Sequence, residues 1–438
     1  MLKTLRDAFR VKDIRRKILY TFMMLVVVRL GSQLPVPGVN RDYFSNWFAS
    51  QQGNGAFNFF SAFTGGSFEK MTIFALNITP YITSSIIMEL LSIAIPALEE
   101  MHRDGDDGRK KIRTITRYLT VGLAVFESLA MAIGFGRSGL IENMNFLSVL
   151  TVVVALTAGS AFLMWVGEQI TEKGVGNGIS IVLVINIVSR VPQDMATLFG
   201  QFVSGKTIAK GGLNAIIILA IILVTIILVI FINDAQRRIP VQYAKKMQGR
   251  RLVGGQSSSI PLKVNTAGVI PVIFASSLMS IPQMIASFAG KTPSGVAGTI
   301  FGMLNQNNWF SPANPIYSVG LVLYLVLIIF FAYFYTSITF NPIEVADNLK
   351  KQGGFVPGIR PGKPTTEYLN SVLNYIIFIG AIALSIVVLV PIVFNGLFNA
   401  SVSFGGTSII IIVSVILETI KQIESQMQVR NYKGFLNA

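Results

Sequence analysis

The stretch AIIILAIILVTIILVIFI (215–232), followed at once by DAQRRIPVQYAKKMQGRRLVGGQSSSIPLKV (234–264), decides the reading of this chain. The first part is uncharged and almost wholly aliphatic. At about 1.5 Å of rise per residue it is long enough for a helix that crosses a bilayer. The second part sets Arg237, Arg238, Lys245, Lys246, Arg250, Arg251 and Lys263 against one acid, Asp234. Such a loop has two readings: positive-inside charge that only fixes topology, or a platform for an acidic partner.

Working outward, nine more apolar runs give candidate spans at 18–35, 73–95, 115–135, 147–169, 179–198, 214–233, 266–286, 317–337, 369–393 and 404–424, ten in all. Only 13% of the 438 residues are charged and 52% are hydrophobic. Soluble domains carry about 25% charged residues, so a string of soluble domains is excluded and the chain is a polytopic membrane protein. When the gaps are numbered alternately, 28 of the 36 Lys and Arg fall on one side. That bias predicts ten spans with both termini in the cytosol. The basic N-terminus, MLKTLRDAFRVKDIRRK, runs into an apolar stretch without a small-residue cleavage site, so it reads as a retained first span. With no cysteine and a single histidine, His102, the chain holds no disulfide, thiol chemistry or Cys/His zinc site.

Three spans are poor lipid anchors. Span two contains Asn77, Thr79, Pro80, Thr83, Ser84, Ser85 and Glu89; span seven starts beside Asn265 and contains Pro271 and Pro282; span five follows GVGNG (174–178) and contains Pro192. Polar groups are costly against lipid, so these spans face protein or a water-filled cavity. They are either inner helices of a packed bundle or the lining of a conduit. FNFFSAFTGG (57–66) has a similar ambiguity. A helix of about ten residues rises only about 15 Å, half a bilayer, which suits a re-entrant helix or an interfacial aromatic belt.

A second long loop, NPIEVADNLKKQGGFVPGIRPGKPTTEY (341–368), projects on the same side as the first. Its Gly353-Gly354 and Pro357-Gly358 turn signals leave Arg360 at a loop tip, where a planar five-donor fork suits carboxylates or phosphates. RPGKPT is not a phosphate loop: Pro357 stands where the first glycine belongs and Pro364 where Ser or Thr belongs. Energy must come from a partner or from the membrane gradient. His102 lies near Asp104, Asp106 and Asp107, but the surrounding cations favour a solvated turn over a metal site. A secondary transporter needs coupled charges at mid-membrane; Arg29, Glu89, Glu127 and Glu418 form no proton relay. A membrane-embedded enzyme has still less support.

Seven stretches, in order along the chain, resemble the SecY family of bacterial protein-conducting channel subunits. They are GSQLPVPGV (31–39), NITPYITSSIIMELL (77–91), GEQITEKGVGNGISI (167–181), RRIPVQYAKKMQGRR (237–251), PLKVNTAGVIPVIFASS (261–277), GFVPGIRPGKPT (354–365) and FGGTSIIII (404–412). The resemblance implies an all-α polytopic membrane protein. Its ten transmembrane helices would form two pseudo-symmetric halves of five, 1–198 and 199–438, with a short re-entrant plug helix at about 57–67. It places a sealing ring of aliphatic side chains at Ile78, Ile82, Ile179, Leu183, Ile273 and Ile411. It makes Phe57, Phe59, Phe60, Phe63 and Thr64 part of the plug, with Gly65 and Gly66 at its hinge. The lateral gate would open between spans two and seven, where Thr79, Ser84 and Asn265 are expected to hydrogen-bond across the seam. Arg238, Lys246, Arg250, Arg251 and Arg360 would receive the motor ATPase SecA or the rRNA of a ribosome. Further implied partners are the small subunits SecE and SecG, signal sequences, nascent polypeptides and membrane lipids, at the bacterial plasma membrane. The family implies no cofactor, no metal and no enzymatic activity in the chain itself.

Overall fold

The apolar runs become helices in the computed structural model, which describes residues 6, 8–50, 61, 63–141, 144–204, 208–243, 246–248, 251–253, 257–288, 295–310, 315–398 and 406–436. The helices, in chain order, are α1 (Lys12–Gly31), α2 (Arg41–Ser50), α3 (Thr79–Ala94), α4 (Pro96–Arg103), α5 (Asp106–Phe135), α6 (Phe146–Lys173), α7 (Gly178–Phe202) and α8 (Ile208–Asp234). After the first basic loop come α9 (Ile270–Phe288), α10 (Val296–Leu304), α11 (Ser318–Thr339), α12 (Pro342–Lys351), α13 (Lys363–Phe398) and α14 (Gly406–Leu436).

Among the described residues, six segments are long and apolar enough to cross a membrane: Asp106–Phe135, Phe146–Lys173, Gly178–Phe202, Gly212–Asp234, Pro315–Lys351 and Lys363–Phe394. The other four expected spans coincide with α1, α3, α9 and α14, which are helical but shorter or more polar. Large apolar side chains point outward without protein cover, including Leu219 and Phe231 of α8, Val322 and Phe330 of α11, and Ile386 of α13. A soluble fold would leave patches of that extent sticky; a bilayer solvates them. The chain is a multi-pass membrane protein.

Span two is helical only in its second half. The chain from Gly65 to Ile78 winds through turns, and α3 starts with Pro80 in its first turn, where the missing N–H is not needed. Irregular backbone at membrane depth survives only inside protein. Met71, Thr72, Ala75, Leu76, Asn77 and Ile78 are accordingly buried. Span five begins where its sequence says it should. The side chain of Asn177 accepts from the Ile179 and Ser180 amides at 3.1 and 3.4 Å, capping α7.

The basic loops are not plain loops. The first contains β1 (Gln236–Tyr243), β2 (Lys246–Gln248), β3 (Arg251–Val253) and β4 (Ser257–Lys263), and the second adds β5 (Gly354–Phe355). Antiparallel β4-β1-β5 form one sheet, with Ile239 opposite Ile260 and Tyr243 opposite Gly354; β2 and β3 form a separate hairpin. Ile239 and Val241 alternate inward along β1. They share a small core with Leu262, Leu349, Val356 and Leu369, which seats the sheet on α12 and the start of α13. The all-α reading therefore holds for the membrane part, and the basic loops depart from it.

Candidate functional site

The largest apolar cluster joins α7, α8, α9, α11, α13 and α14 through Leu183, Val229, Val272, Ile328, Leu384 and Ile411. Four of the six expected ring residues meet there: Leu183 and Ile411 are fully buried in it, and Ile82 and Ile273 pack against it half-buried. Ile78 and Ile179 belong to a neighbouring cluster with Val28, Leu163, Val166 and Val182, and Ile82 touches both. The spacing explains the arrangement. Ile179 and Leu183 are four residues apart on one face of α7, and Ile78, just before α3, accepts a backbone hydrogen bond from Ile82 at 3.0 Å. What results is an aliphatic cluster, the candidate waist, to which α3, α7, α9 and α14 all contribute. An aliphatic ring at a pore constriction would exclude ions by dewetting, and its flexible side chains could part around a chain.

The expected plug is seated against this waist. Phe63 is buried in the largest cluster, and Ser61 and Thr64 are buried beside it. Thr64 ties the segment to itself: its hydroxyl donates to the Ser61 carbonyl and accepts from the Phe68 amide, both at 3.3 Å. Gly65 and Gly66 follow at φ +61° and +80°. Gly65 is required there twice over, since a Cβ would also lie 2.6 Å from the Asn186 carbonyl. Phe57, Phe59 and Phe60 lie outside the described residues.

The seam between α3 and α9 differs from expectation. Ser84 is buried but donates to the Pro80 carbonyl of its own helix at 2.7 Å. Asn265 donates to Asn233 Oδ1 on α8 at 2.8 Å, and Asn233 donates to Ser414 on α14 at 2.8 Å. Lys421 of α14 completes that group, 2.6 Å from Asp234. These bonds fasten the entrance of α9 to α8 and α14, not to α3. Thr79, half-buried, opens α3. Ile82 and Ile86 of α3 pack against the large apolar cluster, to which α9 contributes Val272, Ala275 and Met279. The physical reason is local: a serine inside a helix can reach the carbonyl four residues back, which leaves its hydroxyl satisfied without a cross-seam partner.

On the basic loops, Arg238 is exposed on β1 and Arg360 is exposed on the turn after β5. The β1–β5 pairing brings the two loops that carry them together. The Arg360 turn is fixed by backbone bonds: Thr365, itself buried, donates to the Arg360 carbonyl at 2.8 Å, and Gly362 takes φ +102°. The guanidinium is free of that duty. Lys246 and Arg251 lie in the β2–β3 hairpin, and Arg250 is outside the described residues. No group of three or more acidic or histidine side chains among the described residues is placed to hold a metal.

Sequence reasoning missed a polar cluster made by Asn77, Ser160, Asn186, Arg190 and Glu69. The signal was present as isolated polar residues inside otherwise apolar spans. The partners were not legible, because Asn77 and Asn186 are 109 residues apart.

Comparison with known proteins agrees with the geometry. The SecY family profile matches residues 72–420. The chain is 46% identical, over the whole of both sequences, to the protein translocase subunit SecY of Streptomyces galbus. It is 44% identical, again over both full lengths, to the SecY of Halalkalibacterium halodurans. Among solved structures it superposes on a protein-conducting channel with TM-score 0.62 at 18% identity, covering 94% of this chain and 92% of that one. The Sec61 channel of a canine ribosome–channel complex gives TM-score 0.59 at 16% identity, covering 94% and 92%. The chain belongs to the SecY family.

Proposed function

We propose that this chain is the channel-forming subunit of a protein translocase, a passive gated pore and not an enzyme. It passes unfolded secretory polypeptides across the plasma membrane and releases hydrophobic segments sideways into the bilayer. The observation that carries the reading is that aliphatic side chains from α3, α7, α9 and α14 converge on one apolar cluster that also takes in the buried Phe63. A solute transporter has no use for a seal made only of deformable hydrocarbon, whereas a chain of varied side chains needs one.

In this reading the ten helices form two halves, 1–198 and 199–438, with both termini in the cytosol of a bacterium. Ile78, Ile82, Ile179, Leu183, Ile273 and Ile411 form the ring, residues 57–67 the plug, and α3 and α9 the lateral gate, with Thr79, Ser84 and Asn265 along it. Ribosome-bound relatives of the same fold support a ribosome as one partner. Arg238, Lys246, Arg250, Arg251 and Arg360 would dock it or the motor SecA, because guanidinium and ammonium groups suit phosphate and carboxylate, and Arg238 and Arg360 are exposed on the two paired loops. SecE and SecG complete the assembly. The test is reconstitution: vesicles carrying the complex, motor and ATP should shield a labelled precursor from added protease. Vesicles that leave the precursor fully digestible while moving a small solute would overturn the proposal.

A further inference from the structure

α7 carries Asn186 and Arg190, one turn apart, in a stretch otherwise rich in Val, Leu and Ile. Such side chains are costly within a membrane helix unless something faces them. Both reach the segment 61–77. Asn186 Nδ2 donates to Asn77 Oδ1 at 3.0 Å, and Asn77 Nδ2 donates to the Phe63 carbonyl at 2.6 Å. Ser160 of α6 donates to the Asn77 carbonyl at 3.0 Å. All of these groups are buried. Asn77 itself sits at φ +52°, which asparagine tolerates better than most residues. One turn further along α7, Arg190 Nη1 donates to Glu69 Oε2 at 3.0 Å and to Ser61 Oγ, while its Nε lies 3.7 Å from Asp194. The Arg190 and Glu69 side chains are only 12% and 22% exposed, so water screens this pair weakly.

We infer that Asn186 and Arg190 form a polar latch on the plug hinge, and that the latch sets how readily the plug leaves its seat. The inference rests on the plug reading above. Its physical content is a two-state balance. The latch contacts exist only while 61–77 lies against α7, so they favour the closed state, and a translocating chain must supply the difference. The waist provides a seal without direction or charge. The latch adds a directional contact that a hydrophobic seal lacks. When the segment departs, Arg190 and Glu69 gain access to water, so release has a finite cost.

The test is the resting ion conductance of the assembled channel in a planar bilayer, with no substrate. Arg190→Gln and Glu69→Gln should each raise it about tenfold, the loss expected when one partner of a charged, mostly buried hydrogen bond is neutralised. The double variant should be no leakier than Arg190→Gln alone, because that change already removes the Arg190–Glu69 interaction. Asn186→Leu should also raise it, and Arg190→Lys, which keeps the charge, should stay near the parent. Parent-like conductance in Arg190→Gln and Asn186→Leu would overturn the latch, as would a hundredfold, additive rise in the double variant. Deletion of 57–64 separates the two levels of the argument. If deletion leaks and Arg190→Gln does not, the latch alone falls; if deletion leaves conductance unchanged, the plug reading falls and the latch with it.

Discussion

Ile411 is the sharpest place to probe the seal. Its side chain is wholly buried in the cluster that joins six helices, with Ile82 and Ile273 packed against the same cluster. Ile411→Val removes one methylene and should cost the closed waist about 0.5–1.5 kcal/mol; Ile411→Ala should cost about 2–5 kcal/mol. Ile411→Asn loses similar apolar contact and leaves a buried amide without a partner, worth about another 1–3 kcal/mol. A wetted waist satisfies that amide, so the penalty falls on the dry state alone. A shift of about 3 kcal/mol is roughly a hundredfold change in the ratio of sealed to wetted channels. Resting conductance in planar bilayers should therefore rise in the order Ile, Val, Ala, Asn, with a small first step. Ile386→Val on α13, whose parent side chain is 53% exposed toward lipid, should leave conductance unchanged. The reasoning is refuted if a folded Ile411→Asn channel conducts like the parent, or if Ile386→Val leaks as much as Ile411→Val.

Three further outcomes can be checked with standard assays. Arg360→Glu should cut motor- or ribosome-driven transport at least tenfold in a vesicle assay while leaving thermal unfolding unchanged, since the turn is held by the residue 360 carbonyl and not by the side chain. Val241→Asp puts a charge where the parent side chain is 1% exposed, and should unseat the β4-β1-β5 sheet; limited trypsin digestion should then cut at Arg237 or Arg238, which stay protected in the parent. Asn233→Leu breaks the bonds to both Asn265 and Ser414 and should lower stability by about 1–3 kcal/mol, read as a lower melting temperature in detergent.

Much of the membrane part was legible because its physics is coarse. Residues 215–232 carry no charge, no Gly or Pro and a single hydroxyl, Thr225, which bonds to its own helix, and α8 lies there. The platform was legible as charge but not as a sheet. Ile239, Val241 and Ile260 were present in alternation, yet β5 is only Gly354–Phe355, and its pairing with Gln242 and Tyr243 depends on two loops meeting after more than a hundred intervening residues. The gate polarity misled for a similar reason. Serine and asparagine in a span signal a need for partners without saying where they are, and Ser84 turned to its own helix while Asn265 turned to α8. The ring isoleucines differ in nothing local from dozens of other aliphatic residues; only the family motifs single them out, and the fold brings four of them to one cluster. Asn77 was visible as a misfit, Asn186 was not singled out, and the contact between them needed the folded turns before α3.

The central claim is that a polypeptide passes through the waist, and the chain's lack of cysteine makes it directly testable. A single cysteine replaces Ile82 in one sample and Val322, which is 60% exposed on the lipid side of α11, in another. A precursor with one cysteine of its own is stalled midway through transport, and the mixture is oxidised. The account predicts a disulfide to position 82 and none to position 322. Full transport with no crosslink at position 82, or equal crosslinking at both positions, would contradict it.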